Sequence, residues 1–103
     1  MTVISVFYPA ADDARFDFGY YMGTHIPLVQ RLWSDRGLQE VRVLKGSAGL
    51  GGTGPAYLLV ALLTFESVEA FQAAAAEHGG EIFADIPNFT DTSPVLQLNE
   101  LLG

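Results

Sequence analysis

The stretch AYLLVALLTF, Ala56 to Phe65, carries no charge along its whole length. A strand half exposed to water alternates apolar and polar residues, whereas an unbroken apolar run predicts a strand covered on both faces. What flanks this run then decides the fold. Upstream, LQEVRVLKG places Val41 and Val43 on one side and Glu40 and Arg42 on the other, the pattern of a half-exposed strand at a sheet edge. Downstream, Ser67 is placed to cap a helix whose Val68, Phe71, Ala74, Ala75 and His78 share one side. Gly79-Gly80 is the expected stop of that helix.

Further out, VISVFY (Val3–Tyr8) is rich in β-branched and aromatic residues and ends at Pro9, so it reads as a first strand. Asp12 and Asp13 are candidate caps for a helix in which Phe16, Tyr20 and Thr24 recur at helical spacing. Pro27 lacks a backbone donor and disfavours the α conformation at Ile26. This helix is therefore predicted to bend between Gly23 and Pro27. It restarts with Leu28, Val29, Leu32 and Trp33 as its apolar stripe and closes at Gly37. EIFADIP predicts one or two further turns stopped by Pro87, and VLQLNELL a last strand.

The order β-α-β-β-α-β is that of a ferredoxin-like α+β fold. It is one antiparallel sheet, with the first and third strands central and both helices on one face. No helix remains for the other face of Ala56–Phe65. A second subunit packed sheet against sheet is the simplest cover. A single domain over residues 1–103 is thus expected to form a homodimer.

Composition agrees. Hydrophobic residues make up 50% of the 103 positions and charged ones only 17%, more apolar material than a small core absorbs. Five basic residues against twelve acidic ones, net −7, argue against nucleic acid and against an anionic membrane surface. The absence of cysteine excludes disulfides and thiolate chemistry. MTVISVFYPA has no basic region ahead of its short apolar run, so no secretory leader or membrane anchor is expected, and a cytoplasmic location follows.

Two motifs invite over-reading. GLGGTG (Gly49–Gly54) satisfies G-x-G-x-x-G, but Pro55 and a strand follow it where a dinucleotide site requires a helix. It reads as a hairpin loop, and no cofactor is expected. His25, His78 and Asp85 resemble a metal trio. His78 is explained by a helix C-terminus, which favours a cation, so no metal is expected either.

With these elements placed, three stretches are recognisable: FDFGYYMGTHIPLV, YLLVALLTFESVEAFQAA and HGGEIFADIPNFTDTSPVLQLNEL. Together they resemble the EthD-like family of the dimeric α+β barrel superfamily, which also includes muconolactone isomerase and cofactor-free polyketide monooxygenases. The resemblance runs from Val3 to Leu101. It implies a homodimeric barrel, a hydrophobic small-molecule ligand and a link to ether or xenobiotic degradation. By position it implicates His25 of His25-Ile26-Pro27, the preceding Tyr20 and Tyr21, and Asp85, Asn88, Phe89 and Thr90.

An imidazole with an ordinary pKa of about 6.5 serves as acid or base near neutrality. Asp85 is the candidate to orient it, and Asn88 or Thr90 to hold a developing enolate or phenolate oxygen. Tyr20, Tyr21, Phe89 and Trp33 are candidate walls for a flat aromatic or polyketide-like substrate. The competing reading makes His25 a bonded core residue and Asp85, Asn88 and Thr90 turn formers. Three function classes stay open. One is a cofactor-independent isomerase, lyase or monooxygenase. The second is a non-catalytic binding or accessory protein of an oxidation system. The third is a structural dimer. A pocket holding His25 with a carboxylate in reach separates the first from the other two.

Overall fold

The computed structural model describes residues 1–103. Four strands, β1 (Thr2–Pro9), β2 (Leu38–Lys45), β3 (Tyr57–Phe65) and β4 (Val95–Glu100), form one antiparallel sheet in the order β2-β3-β1-β4. This is the ferredoxin-like arrangement, with β3 and β1 central as the chain order requires. On the helix-facing side Ile4, Val6 and Tyr8 of β1 pair with Leu63, Ala61 and Leu59 of β3. Val41 and Val43 of edge strand β2 pack onto the same side.

That face is covered by α1 (Phe18–Tyr20), a π turn (Tyr21–His25), α2 (Ile26–Trp33) and α3 (Val68–Asp85). One core joins Ile4, Leu63 and Phe65 to Val29, Trp33, Ala74 and Ile82. A second, mainly aromatic, joins Tyr8 and Leu59 to Tyr21, Ile26 and Phe89. The opposite face of β3, with Val60 and Leu62, is only partly buried within the chain, so the run is not covered on both sides by its own helices.

Four expectations about the helices are corrected. The first helix begins after Asp17, whose Oδ1 accepts the Tyr20 N–H at 3.0 Å; Asp12 and Asp13 lie in a turn instead. Phe16 is not helical, because it bridges to Thr90 and its ring packs on Tyr8 and Phe89.

Nor does the chain bend out of helix at Pro27. Ile26 keeps α dihedrals (φ −63°, ψ −43°), and its N–H reaches back to the Tyr21 carbonyl across a widened turn. The extra residue in the π turn gives the proline ring room that a regular α turn lacks, so the helical path continues.

Gly79-Gly80 does not end α3. The helix runs through to Asp85, and a 3₁₀ turn (Ile86–Asn88) follows. Each glycine costs about 1 kcal/mol in a helix interior. Burial of Ile82 against the sheet returns roughly 1.5–3 kcal/mol. His78 is consequently mid-helix, between Glu77 and Glu81, and caps nothing. α2 ends at Trp33 with Ser34 as its C-cap, ahead of Gly37, which at φ +103° ends the turn that leads into β2.

Candidate active site

Tyr20 and Tyr21 are neighbours in sequence but, about 100° apart around a helix, they serve different surroundings. Tyr21 turns inward against the sheet. Its ring stacks on His25 (centroids 5.2 Å apart, 27° between planes) and meets Tyr8 edge-on at 6.0 Å. Tyr20 turns toward the end of α3, where its hydroxyl donates to Asp85 Oδ1 at 2.6 Å. The uninterrupted α3 carries Asp85 to this point, and the π turn brings His25 to meet it.

His25 Nδ1 lies 2.9 Å from Asp85 Oδ2. Asn88 Nδ2 donates to Asp85 Oδ1 at 3.0 Å. Burial raises the Asp85 pKa, but the hydrogen bonds from Tyr20, Asn88 and His25 together outweigh it and hold the carboxyl below its ordinary range. An ionised carboxylate only accepts, so the proton between the two residues sits on Nδ1. Burial lowers the imidazole pKa below its ordinary value, and Asp85 offsets this only in part. At neutral pH His25 is therefore uncharged, with its acceptor lone pair on Nε2.

The His25 side chain lines a cavity of about 60 Å³ between the helices and the sheet, and Nε2 has no hydrogen-bond partner in the chain. The walls are Ile4, Val6, Ala61 and Leu63 from the sheet and Val29 and Trp33 from α2, among others. The opening lies between α3 and β4, where Phe83 and Leu96 are 48% and 40% exposed. Trp33 also lines it, but its indole N–H is engaged by the Ala74 carbonyl at 2.9 Å. No three His, Asp or Glu side chains converge in a metal-binding arrangement, and His78 stands apart from His25 and Asp85.

Of the residues singled out in the sequence, the structure joins His25, Asp85, Tyr20 and Asn88 in one hydrogen-bonded group. Tyr21 and Trp33 line the cavity itself. Phe89 is fully buried behind the imidazole, 4.7 Å from it ring to ring. Thr90 lies elsewhere: its hydroxyl donates to the Arg15 carbonyl at 2.6 Å and tethers the segment before α1. Neither Asn88 nor Thr90 is among the cavity-lining residues.

Tyr8 escaped the sequence reading. It was legible only as a strand aromatic, although its alternation with Ile4 and Val6 already placed it on the helix-facing side. Phe83 and Ile86 were missed because the helix was expected to end before them. GLGGTG occupies the β2–β3 hairpin, with Gly51 and Gly52 at φ +81° and +85°.

An EthD domain profile matches residues 9–93. The solved structure of an EthD-like protein from Ralstonia eutropha superposes with a TM-score of 0.89 at 37% identity, covering 96% of this chain and 89% of that one. An ethyl tert-butyl ether (EthD) family protein from Bacillus halodurans gives a TM-score of 0.79 at 20% identity over 99% of both chains. SnoaB, a cofactor-independent oxygenase from Streptomyces nogalater, gives 0.64 at 12% identity, covering 97% and 90%. These last two likenesses concern the fold alone. Among curated proteins nothing matches. With the family profile spanning most of its length, the chain belongs to the EthD family.

Proposed function

We propose that this chain is a small-molecule enzyme in which His25 removes and returns a proton on a hydrophobic aromatic or polyketide-like compound, with Asp85 orienting the ring. One observation carries this reading: His25 locks Nδ1 to a carboxylate and lines an apolar cavity, with a neutral Nε2 left unpartnered. A merely structural histidine has no need of both. Abstraction from an acidic C–H or O–H group requires a base of suitable pKa and a dry, positioned site, and no cofactor. The distant likeness to a cofactor-independent oxygenase adds support only by analogy of fold.

The cavity limits the substrate. Its volume of about 60 Å³ is below the ~150 Å³ that houses benzene in an engineered protein cavity. A single ring enters only as Phe83 and Leu96 swing aside, and a fused-ring system needs much larger movement. A monocyclic compound is the better fit.

The open face of the sheet is the proposed dimer interface. Phe7, Val60 and Leu62 lie there half buried, with Leu44 and Val95 beside them 55% and 56% exposed. Two such faces brought together close a barrel and leave each cavity on the outside, beneath its own helices.

A small cyclic 1,3-diketone in deuterated buffer tests the chemistry. Wild-type protein is expected to speed exchange of its acidic C–H, followed by NMR, and His25→Ala to lose the acceleration. Exchange no faster than in buffer, or equal in the variant, overturns the reading.

A further inference from the structure

Three polar atoms of cavity-lining residues have no partner in the chain: His25 Nε2, the Tyr8 hydroxyl and the Tyr21 hydroxyl. Both tyrosines are 98% buried by area, being only 2% exposed each, and His25 is 4% exposed. Every side-chain polar atom sealed inside the protein is hydrogen-bonded, so these three, which are not, each keep some accessible area, and all three residues line the cavity. The other lining groups are hydrocarbon or already engaged, as Trp33 Nε1 is. A mostly buried hydroxyl left without a partner is unfavourable. Packing alone is served as well by phenylalanine, which fills the same space.

The Tyr8 and Tyr21 rings meet edge-on and Tyr21 stacks on His25, so the three side chains lie next to one another in the cavity wall. Burial pushes both phenols well above their ordinary pKa. They remain O–H donors throughout the working pH range. The cavity lining thus includes two neutral donors and one neutral acceptor, and is otherwise hydrocarbon or engaged.

We infer that Tyr8 and Tyr21 form a two-donor receptor for a single ligand oxygen, and that the ligand is a monocyclic, otherwise apolar phenol or enolisable ketone. The inference rests on the reading of His25 as the base and adds the group that receives the charge. When Nε2 takes the proton, the O–H or α-C–H bond breaks, an N–H bond forms, and the electron pair settles on the ligand oxygen. The two hydroxyls then hydrogen-bond that oxygen. Donors placed where charge develops stabilise the transition state more than the bound substrate. An anion delivered from solution has no cation waiting for it here, so the ligand enters neutral.

4-Nitrophenol is a suitable probe, because its visible absorbance reports whether it is bound as phenol or phenolate. 4-Nitrotoluene is the matching shape without the hydroxyl. Wild-type protein is expected to bind the phenol about tenfold or more tightly than the toluene, and to shift bound phenol toward phenolate. Tyr8→Phe and Tyr21→Phe are each expected to weaken phenol binding roughly 2–10-fold, the net worth of one hydrogen bond, and to leave 4-nitrotoluene unchanged. His25→Ala is expected to keep the preference for phenol while abolishing the shift to phenolate. Equal binding of the two probes by wild type, or failure of 4-nitrophenol to bind, overturns the receptor. So does undiminished phenol binding in the Tyr8→Phe, Tyr21→Phe double variant. Loss of the absorbance shift alone, with the preference intact, counts against the base and spares the receptor. The wild-type comparison of the two probes requires no variant to fold.

Discussion

His25 Nδ1 and Asp85 Oδ2 lie 2.9 Å apart although 60 residues separate them in the chain. Asp85 is in turn held by Tyr20 and Asn88. The imidazole therefore has one orientation and one tautomer. His25→Ala is expected to lower turnover roughly 10²–10⁴-fold, the usual contribution of a positioned acid or base, while the circular dichroism spectrum stays that of the wild type. Asp85→Asn keeps the shape but offers an amide N–H to Nδ1, which favours the wrong tautomer. Its turnover is expected to fall by about 10²-fold or more. Steady-state rates of exchange on the diketone measure both, and wild-type turnover in either variant contradicts the assignment.

The pH profile follows from the depressed His25 pKa. The base is neutral at pH 7 and stays so below the ordinary histidine value, so the rate should rise with pH through a midpoint under about 6.5. Asp85 raises that midpoint, so in Asp85→Asn it is expected to move lower still. Stability has the same direction. The unfolded chain takes up the His25 proton first as pH falls below about 6.5, and folding weakens until the folded ring is also protonated. Asp85, depressed as well, adds a second loss as pH falls from its ordinary range through its folded pKa. Melting temperatures recorded from pH 8 to 2 should decline in this order, and His25→Ala should remove the upper part of the decline.

The open sheet face predicts oligomeric state. Val60 pairs across the sheet with Phe7 and Leu44 on the side away from the helices. Sedimentation equilibrium should give about twice the chain mass of 11.1 kDa. Val60→Asp, which puts an unpaired charge into the interface, should give monomer or insoluble chain. Leu50→Asp, at the fully exposed tip of the β2–β3 loop, should change nothing. A soluble wild-type monomer at micromolar concentration would exclude the barrel.

Trp33 ties α2 to α3 through the hydrogen bond to the Ala74 carbonyl. Trp33→Phe removes that bond and part of the core between the helices. The expected loss is about 1–3 kcal/mol. For a domain of this size each kcal/mol lowers the melting temperature by roughly 4–8 °C. Thermal unfolding followed by circular dichroism checks it.

The strands, their order and the open sheet face were legible in the sequence, because apolar alternation and runs such as Ala56–Phe65 are local patterns that report burial directly. Ser67 as a cap was legible for the same reason: it acts within a turn of itself. The histidine and the carboxylate were identified as residues, but not their geometry. Pro27 and Gly79-Gly80 are local signals for ending a helix, and both were overruled by distant packing. A π turn accommodates the first, and burial of Ile82 on the sheet carries α3 past the second. Those two departures position His25 and Asp85 against each other. Tyr8 joins the site because the sheet sets it opposite Tyr21, and Tyr20 leaves the cavity because a helix turns neighbouring side chains about 100° apart. Local propensities amount to about 1 kcal/mol per residue, enough to lay out the elements. The site depends on how buried side chains from β1, the π turn and the end of α3 settle together, and only the tertiary structure decided that.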